Sequence, residues 1–176
     1  MRLPADATLI LVGAQETRGD PRRGAGDDRG VGAKVAELIA VWRREALPVV
    51  HAPLDGASGA PFETWAAPLV GEIVVGAGAA GAFAGSGLEA LLDEAGATTL
   101  VLCGPLGALE PTVRDAASLG YHVFIPLDAC GPAARFADPA VERLRREGAA
   151  VVDTAAALAA AAMATWRRRR EAGRRR

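Results

Sequence analysis

The sequence predicts an α/β domain built on a mostly parallel, six-stranded sheet. Two periodicities alternate along it. Short, near-continuous apolar runs are separated by stretches with apolar residues at helical spacing. Runs that are apolar throughout suit parallel strands buried on both faces, joined by right-handed crossovers. The 176 residues fit one domain better than two, and 51% hydrophobic with 23% charged is a globular composition.

The strand segments are Thr8–Val12, Pro48–His51, Ile73–Val75, Thr99–Cys103, His122–Pro126 and Ala150–Asp153. After the first run, the stretch from Glu16 to Gly30 is rich in Gly, Asp and Arg and reads as a loop. Val35, Leu38, Ile39 and Trp42 then recur at i, i+3, i+4, i+7, which predicts an amphipathic helix. A second loop covers Asp55 to Gly71 and contains Pro61, Phe62 and Trp65. Ser86 with Glu89 has the capping-box spacing for a helix burying Leu88, Leu91 and Leu92. Asp138 followed by Pro139 supplies an N-cap and a first-turn proline for a helix through Val141 and Leu144. Asp153 is placed to cap a last helix with Leu158, Ala162 and Trp166 on one stripe.

Composition narrows the function classes. Lys34 is the one lysine among 20 basic residues, so any lysine-based mechanism rests on it. Net charge is −1, yet residues 167–176 hold seven Arg and Glu171, a local +6 that leaves −7 for residues 1–166. We read 1–166 as one domain and 167–176 as an Arg-rich tail, solvated or in weak contact with a polyanion. Cys103 and Cys130 form neither a C-x-x-C pair nor a metal-ligand spacing with His51 or His122. Two reduced thiols and no visible signal peptide suggest a cytoplasmic protein. Thr154–Trp166 is shorter than the roughly 18 residues that a membrane span needs.

Ligands of open α/β sheets bind beyond the carboxyl ends of the strands, so the positions after Val12, His51, Val75 and Cys103 carry the candidate chemistry. Gly76–Gly81 lacks both the Lys-Ser/Thr of a P-loop and dinucleotide-turn spacing, and reads as a tight strand-to-loop passage. Ser86 and Ser118 lie outside any nucleophile elbow. His51 is either a pocket residue or a half-buried structural one, with structure favoured. Cys103 reads as an inert buried thiol, and Asp128 as a cap for local backbone N–H groups.

Six segments carry a resemblance: LILVGAQE, PVVHA, GEIVV with GAFAGSGLEALL, LVLCG, PTVRDAASLGYHVFIPLDACG and REGAAVVDTAAAL. In this order and spacing, over about residues 6–160, they resemble the isochorismatase-like cysteine hydrolases, a group that includes isochorismatases, nicotinamidases and related amidases. The resemblance implies a three-layer α/β/α, Rossmann-like fold and a homo-oligomer, most simply a dimer. Trp42, Trp65 and Trp166 lie in segments expected to reach the surface, in support of that assembly. It also implies an Asp-Lys-Cys triad in which Cys attacks an acyl carbonyl, Asp is its base and Lys supports the charged states.

The triad pattern breaks here. The Asp position falls on Gly13, with Gln15 retained, and the Lys position on Ala77, with Ala82 and Phe83 retained. Anchoring on Thr112, Asp115 and Ala116 puts the nucleophile at Ala108; a gap placed differently puts Glu110 there. Neither is a Cys. The metal cluster of the nicotinamidase branch is also unmatched, since His51 and Asp55 have no second His beside them. No cofactor or metal is implied. The leading expectation is a catalytically inactive relative with a vestigial pocket at Gln15, Glu16, His51, Phe83 and Glu110. A second is a divergent hydrolase of amide C–N or isochorismate-type ether bonds using Glu16, His51 or Glu110. The third is a polyanion-binding module acting through Arg167–Arg176.

Overall fold

The computed structural model describes residues 7–16, 28–54, 59–76, 81–131 and 138–174. Within them lie strands β1 (Thr8–Val12), β2 (Val49–Ala52), β3 (Ile73–Val74), β4 (Thr99–Cys103), β5 (His122–Pro126) and β6 (Ala150–Val152). The helices are α1 (Asp28–Arg44), α2 (Leu88–Glu94), α3 (Leu106–Ser118), α4 (Pro139–Arg146) and α5 (Thr154–Arg174). The strands form one sheet in the order β3-β2-β1-β4-β5-β6, and every pairing is parallel.

Alternation of side chains divides the core in two. Leu9, Leu11 and Val49 pack with Val35, Leu38, Ile39 and Trp42 of α1 and Ala157 and Ala161 of α5. Ile10, Val12 and Val50 pack with Leu88 and Leu92 of α2, Leu109 and Val113 of α3, and Leu144 of α4. The result is the expected three-layer α/β/α fold.

Caps at the helix starts follow the sequence in two cases. Asp138 accepts from the Ala140 N–H at 2.7 Å, and Asp153 accepts from the Ala156 N–H at 2.7 Å. Asp128 also caps, but at long range: it accepts from the N–H and hydroxyl of Thr154, 26 residues away, at the start of α5.

Other details differ. Helix α1 begins at Asp28, inside the segment read as loop, while residues 17–27 lie outside the described residues. No capping box forms at Ser86. Gly87 is the residue before α2, with φ +78°, and the Ser86 hydroxyl instead bonds the carbonyls of Ala82 and Phe83 while accepting from the Leu88 N–H. Helix α3 is masked in the sequence by Pro111, which interrupts an otherwise helical spacing of Leu109, Thr112, Val113 and Ala116. Trp42 is fully buried and does not reach the surface; its indole N–H donates to the Ala7 carbonyl at 2.9 Å. The buried stripe of α5 is Ala157, Ala160, Ala161 and Ala164, while Ala162 and Trp166 are exposed. Small side chains there let α5 lie close against the sheet and α1.

Candidate functional site

The chain runs outward from β1 in one direction and from β4 in the other, so these neighbours flank the switch point of the sheet. The crevice beyond their carboxyl ends is the place for a ligand. Gly13 follows β1 with φ +63°, and its N–H donates to the Ala52 carbonyl at 2.9 Å. A Cβ on Gly13 would stand 2.7 Å from Leu54 Cδ1 and 3.7 Å from Pro105 Cδ. Gly104 follows β4, and a Cβ there would run into the Val12 carbonyl oxygen. The two strand ends therefore close on each other, and Leu54 and Pro105 take the space that a side chain on β1 would enter.

Gln15 fixes Leu54. Its buried Oε1 accepts from the Leu54 N–H at 2.9 Å, and its Nε2 donates to the Leu54 carbonyl at 3.3 Å. The same residue makes an isolated bridge with Phe62. Glu16, half-buried, donates its backbone N–H to the Pro61 carbonyl at 2.8 Å. Gln15 thus has a structural occupation that its alignment with the family pattern did not reveal.

At the third strand-end segment, Ala108 lies in the first turn of α3, where its N–H donates to the Pro105 carbonyl at 2.9 Å. The buried Thr112 hydroxyl donates to the Ala108 carbonyl at 2.7 Å and accepts from the Ala82 N–H at 3.0 Å. This hydroxyl ties the segment after β3 to α3. A Cβ on Gly81 would lie 2.9 Å from it, so the approach needs a glycine. In the sequence the signal for this role of Thr112 is a threonine at a buried helical position beside Leu109, Val113 and Ala116. Ala77 lies outside the described residues.

The remaining pocket candidates do not converge. Glu110 accepts from Arg143 of α4 at 2.9 Å and stands 3.9 Å from Arg114, so its carboxylate is spent on joining α3 to α4. Phe83 stacks near Tyr121, with ring centroids 6.3 Å apart.

His51 is wholly buried, not half-buried, and belongs to a different cluster. Its Nε2 lies 2.9 Å from Glu72 Oε2, and its ring meets Phe62 edge-on at 5.4 Å. Glu72 also accepts from Arg43 through both oxygens, at 2.7 and 2.9 Å, and from the Leu69 N–H at 3.0 Å. The guanidinium of Arg43 beside it holds the Glu72 carboxyl down to about 2, against the cost of burial. Burial lowers the His51 pKa, opposed by Glu72. His51 Nδ1 has no hydrogen-bond partner. Sequence reading missed Glu72 and Arg43 because their side chains meet only in the fold.

Cys103 and Cys130 are both buried. The Cys130 sulfur beside it, and then burial, push the Cys103 thiol well above its ordinary pKa. Cys130 donates to the Pro126 carbonyl at 3.2 Å. The Cys103 thiol, so raised, is not activated for attack on a carbonyl. Among the described residues, no group of three or more His, Cys, Asp or Glu is placed to hold a metal ion.

The strand order, the parallel register and the glycine-lined switch point define an α/β/α protein of the isochorismatase type. The isochorismatase domain matches residues 7–156, and the chain belongs to that family. A solved structure of an isochorismatase-family protein from Chromobacterium violaceum is 29% identical; it superposes with a TM-score of 0.78 over 92% of this chain and 97% of that one. N-carbamoylsarcosine amidase from Thermoplasma acidophilum shares the fold, with a TM-score of 0.71 at 22% identity over 85% of this chain and 96% of that one. Streptothricin hydrolase from Streptomyces noursei is 38% identical over 107 residues, 52% of this chain and 37% of its own length. The secreted isochorismatase effector Isc1 of Verticillium dahliae is 25% identical over 138 residues, 72% of this chain and 73% of its own length.

Proposed function

We propose that this family member has no covalent hydrolase chemistry and keeps the fold for small-ligand binding or assembly, as a cytoplasmic homo-oligomer. One observation carries the reading. The strand end where the family's base would stand is Gly13, and Leu54 occupies the space of its missing side chain. Gly and Ala offer no lone pair to accept a proton or attack a carbonyl, and triad members act as a unit, so losing one removes nearly all of the rate enhancement. Isochorismate, nicotinamide and simple amides should be consumed no faster than in buffer. Turnover that survives Cys103→Ser with Cys130→Ser would replace this reading with the second one.

That second reading is a divergent hydrolase of amide C–N or isochorismate-type ether bonds. Its support is the 38% identity to streptothricin hydrolase. Its acid/base group would be Glu16, His51 or Glu110, of which His51 is bonded to Glu72 and Glu110 to Arg143. A polyanion contact through the Arg-rich tail is compatible with either reading. Trp166, half-exposed, carries the Arg170 guanidinium 4.6 Å above its ring there.

A further inference from the structure

The two faces of helix α5 have different occupations. Ala157, Ala160, Ala161 and Ala164 are buried against the body. Met163, Trp166, Arg170 and Arg174 lie at i, i+3, i+7 and i+11, and all four are exposed on the other side. At 1.5 Å per residue they span about 16 Å of helix. The Arg170 guanidinium lies 4.6 Å over the Trp166 ring, and with it in place Trp166 is still 50% exposed. The ring is thus an aromatic platform already held in position by a cation.

Charge selects the partner. Residues 167–176 hold seven Arg and Glu171, whereas residues 1–166 sum to −7. A polyanion is attracted to this end of α5 and repelled by the body, which confines it to a short crossing of the helix. An anionic membrane is the poorer match, because an interfacial helix offers lipid a broad apolar face. The apolar face of α5 is spent on the core; among the described residues, Met163 and Trp166 are the large apolar side chains it turns outward. An acidic protein segment would satisfy the arginines but bring no planar group to Trp166. A duplex keeps its bases stacked on one another. A single strand supplies both phosphates for the guanidiniums and free base faces for the ring.

We propose that this stripe is a contact for single-stranded nucleic acid, with Trp166 stacking on a base and Arg170 and Arg174 meeting the flanking phosphates. The proposal rests on the polyanion reading above and names its partner.

Fluorescence anisotropy of a short labelled oligothymidylate at low salt tests it, beside heparin, a polyanion without bases, and vesicles containing phosphatidylserine. The full chain should bind the oligonucleotide, with a quenching of tryptophan emission that Trp166→Ala lacks. Affinity should fall steeply as salt rises, because binding releases counterions. Trp166→Ala should weaken oligothymidylate binding about tenfold and leave heparin unchanged, and Trp166→Phe should restore most of the loss. Arg170→Glu/Arg174→Glu should weaken both ligands. These side chains are exposed, so the melting curves should not move. Oligothymidylate binding that Trp166→Ala leaves unchanged, or binding to the vesicles with none to the oligonucleotide, overturns the nucleic-acid contact and leaves the polyanion reading standing. A chain that binds neither oligothymidylate, heparin nor vesicles overturns both.

Discussion

Gln15 grips Leu54 by both its backbone N–H and its carbonyl, and the Leu54 side chain so placed stands 2.7 Å from where a Cβ of Gly13 would be. A residue retained from the family pattern thus holds the plug at a position where the pattern is broken. Leu54 packs against the core cluster on the α2–α3 side of the sheet, so this end of the crevice is apolar.

Gly13→Asp should therefore destabilise the fold and not restore a base. The φ of +63° costs a non-glycine residue roughly 1 kcal/mol, and the clash with Leu54 adds about 1–3 kcal/mol. Denaturant unfolding measures the sum. Adding Leu54→Ala should recover the clash part and leave the backbone part.

Gln15→Ala should cost about 1 kcal/mol, because the part-buried N–H and carbonyl of Leu54 lose their partners. The loss should appear in denaturant unfolding. Amide exchange at Leu54 should accelerate in the same variant.

Acid should act through the Arg43–Glu72–His51 cluster in two stages. His51, with its pKa lowered from 6.5 by burial, takes a proton more readily in the unfolded chain, so stability declines as pH falls below that value. Glu72, held at about 2 against 4.5, contributes stability that is full above 4.5 and is lost as pH falls from there towards 2. Thermal melts across pH should show both slopes. His51→Gln should flatten the first and Glu72→Gln the second, the latter at a cost of about 1–3 kcal/mol near neutrality.

The inner strands β1, β2 and β4 were legible because strands buried on both faces leave near-continuous apolar runs, as Thr8–Val12 and Thr99–Cys103 show. The edge strands β3 and β6 carry apolar runs although they are exposed or half-buried. Local caps were legible where donor and acceptor are close in sequence, as at Asp138 and Asp153. The site was less legible because its determinants are long-range. Gln15 meets Leu54 across 39 residues, Glu72 meets Arg43 across 29, and Thr112 meets Ala82 across 30. Trp42 lies on the buried face of α1 that its i, i+3, i+4, i+7 spacing with Val35, Leu38 and Ile39 marks, and not in a surface-reaching segment.

Both thiols should be inert in the folded protein. Burial and the neighbouring sulfur keep Cys103 protonated, so alkylation of the native chain should be far slower than that of free thiol. Denaturant should expose two reactive thiols per chain, counted by a colorimetric thiol reagent.

The most direct test of a nucleophile-free strand end is the intact mass of the protein after incubation with an excess of an activated phenyl ester and a rapid acid quench. The account predicts no stoichiometric adduct that hydroxylamine discharges. A one-to-one, hydroxylamine-labile acyl adduct mapping to a strand-end residue would contradict it.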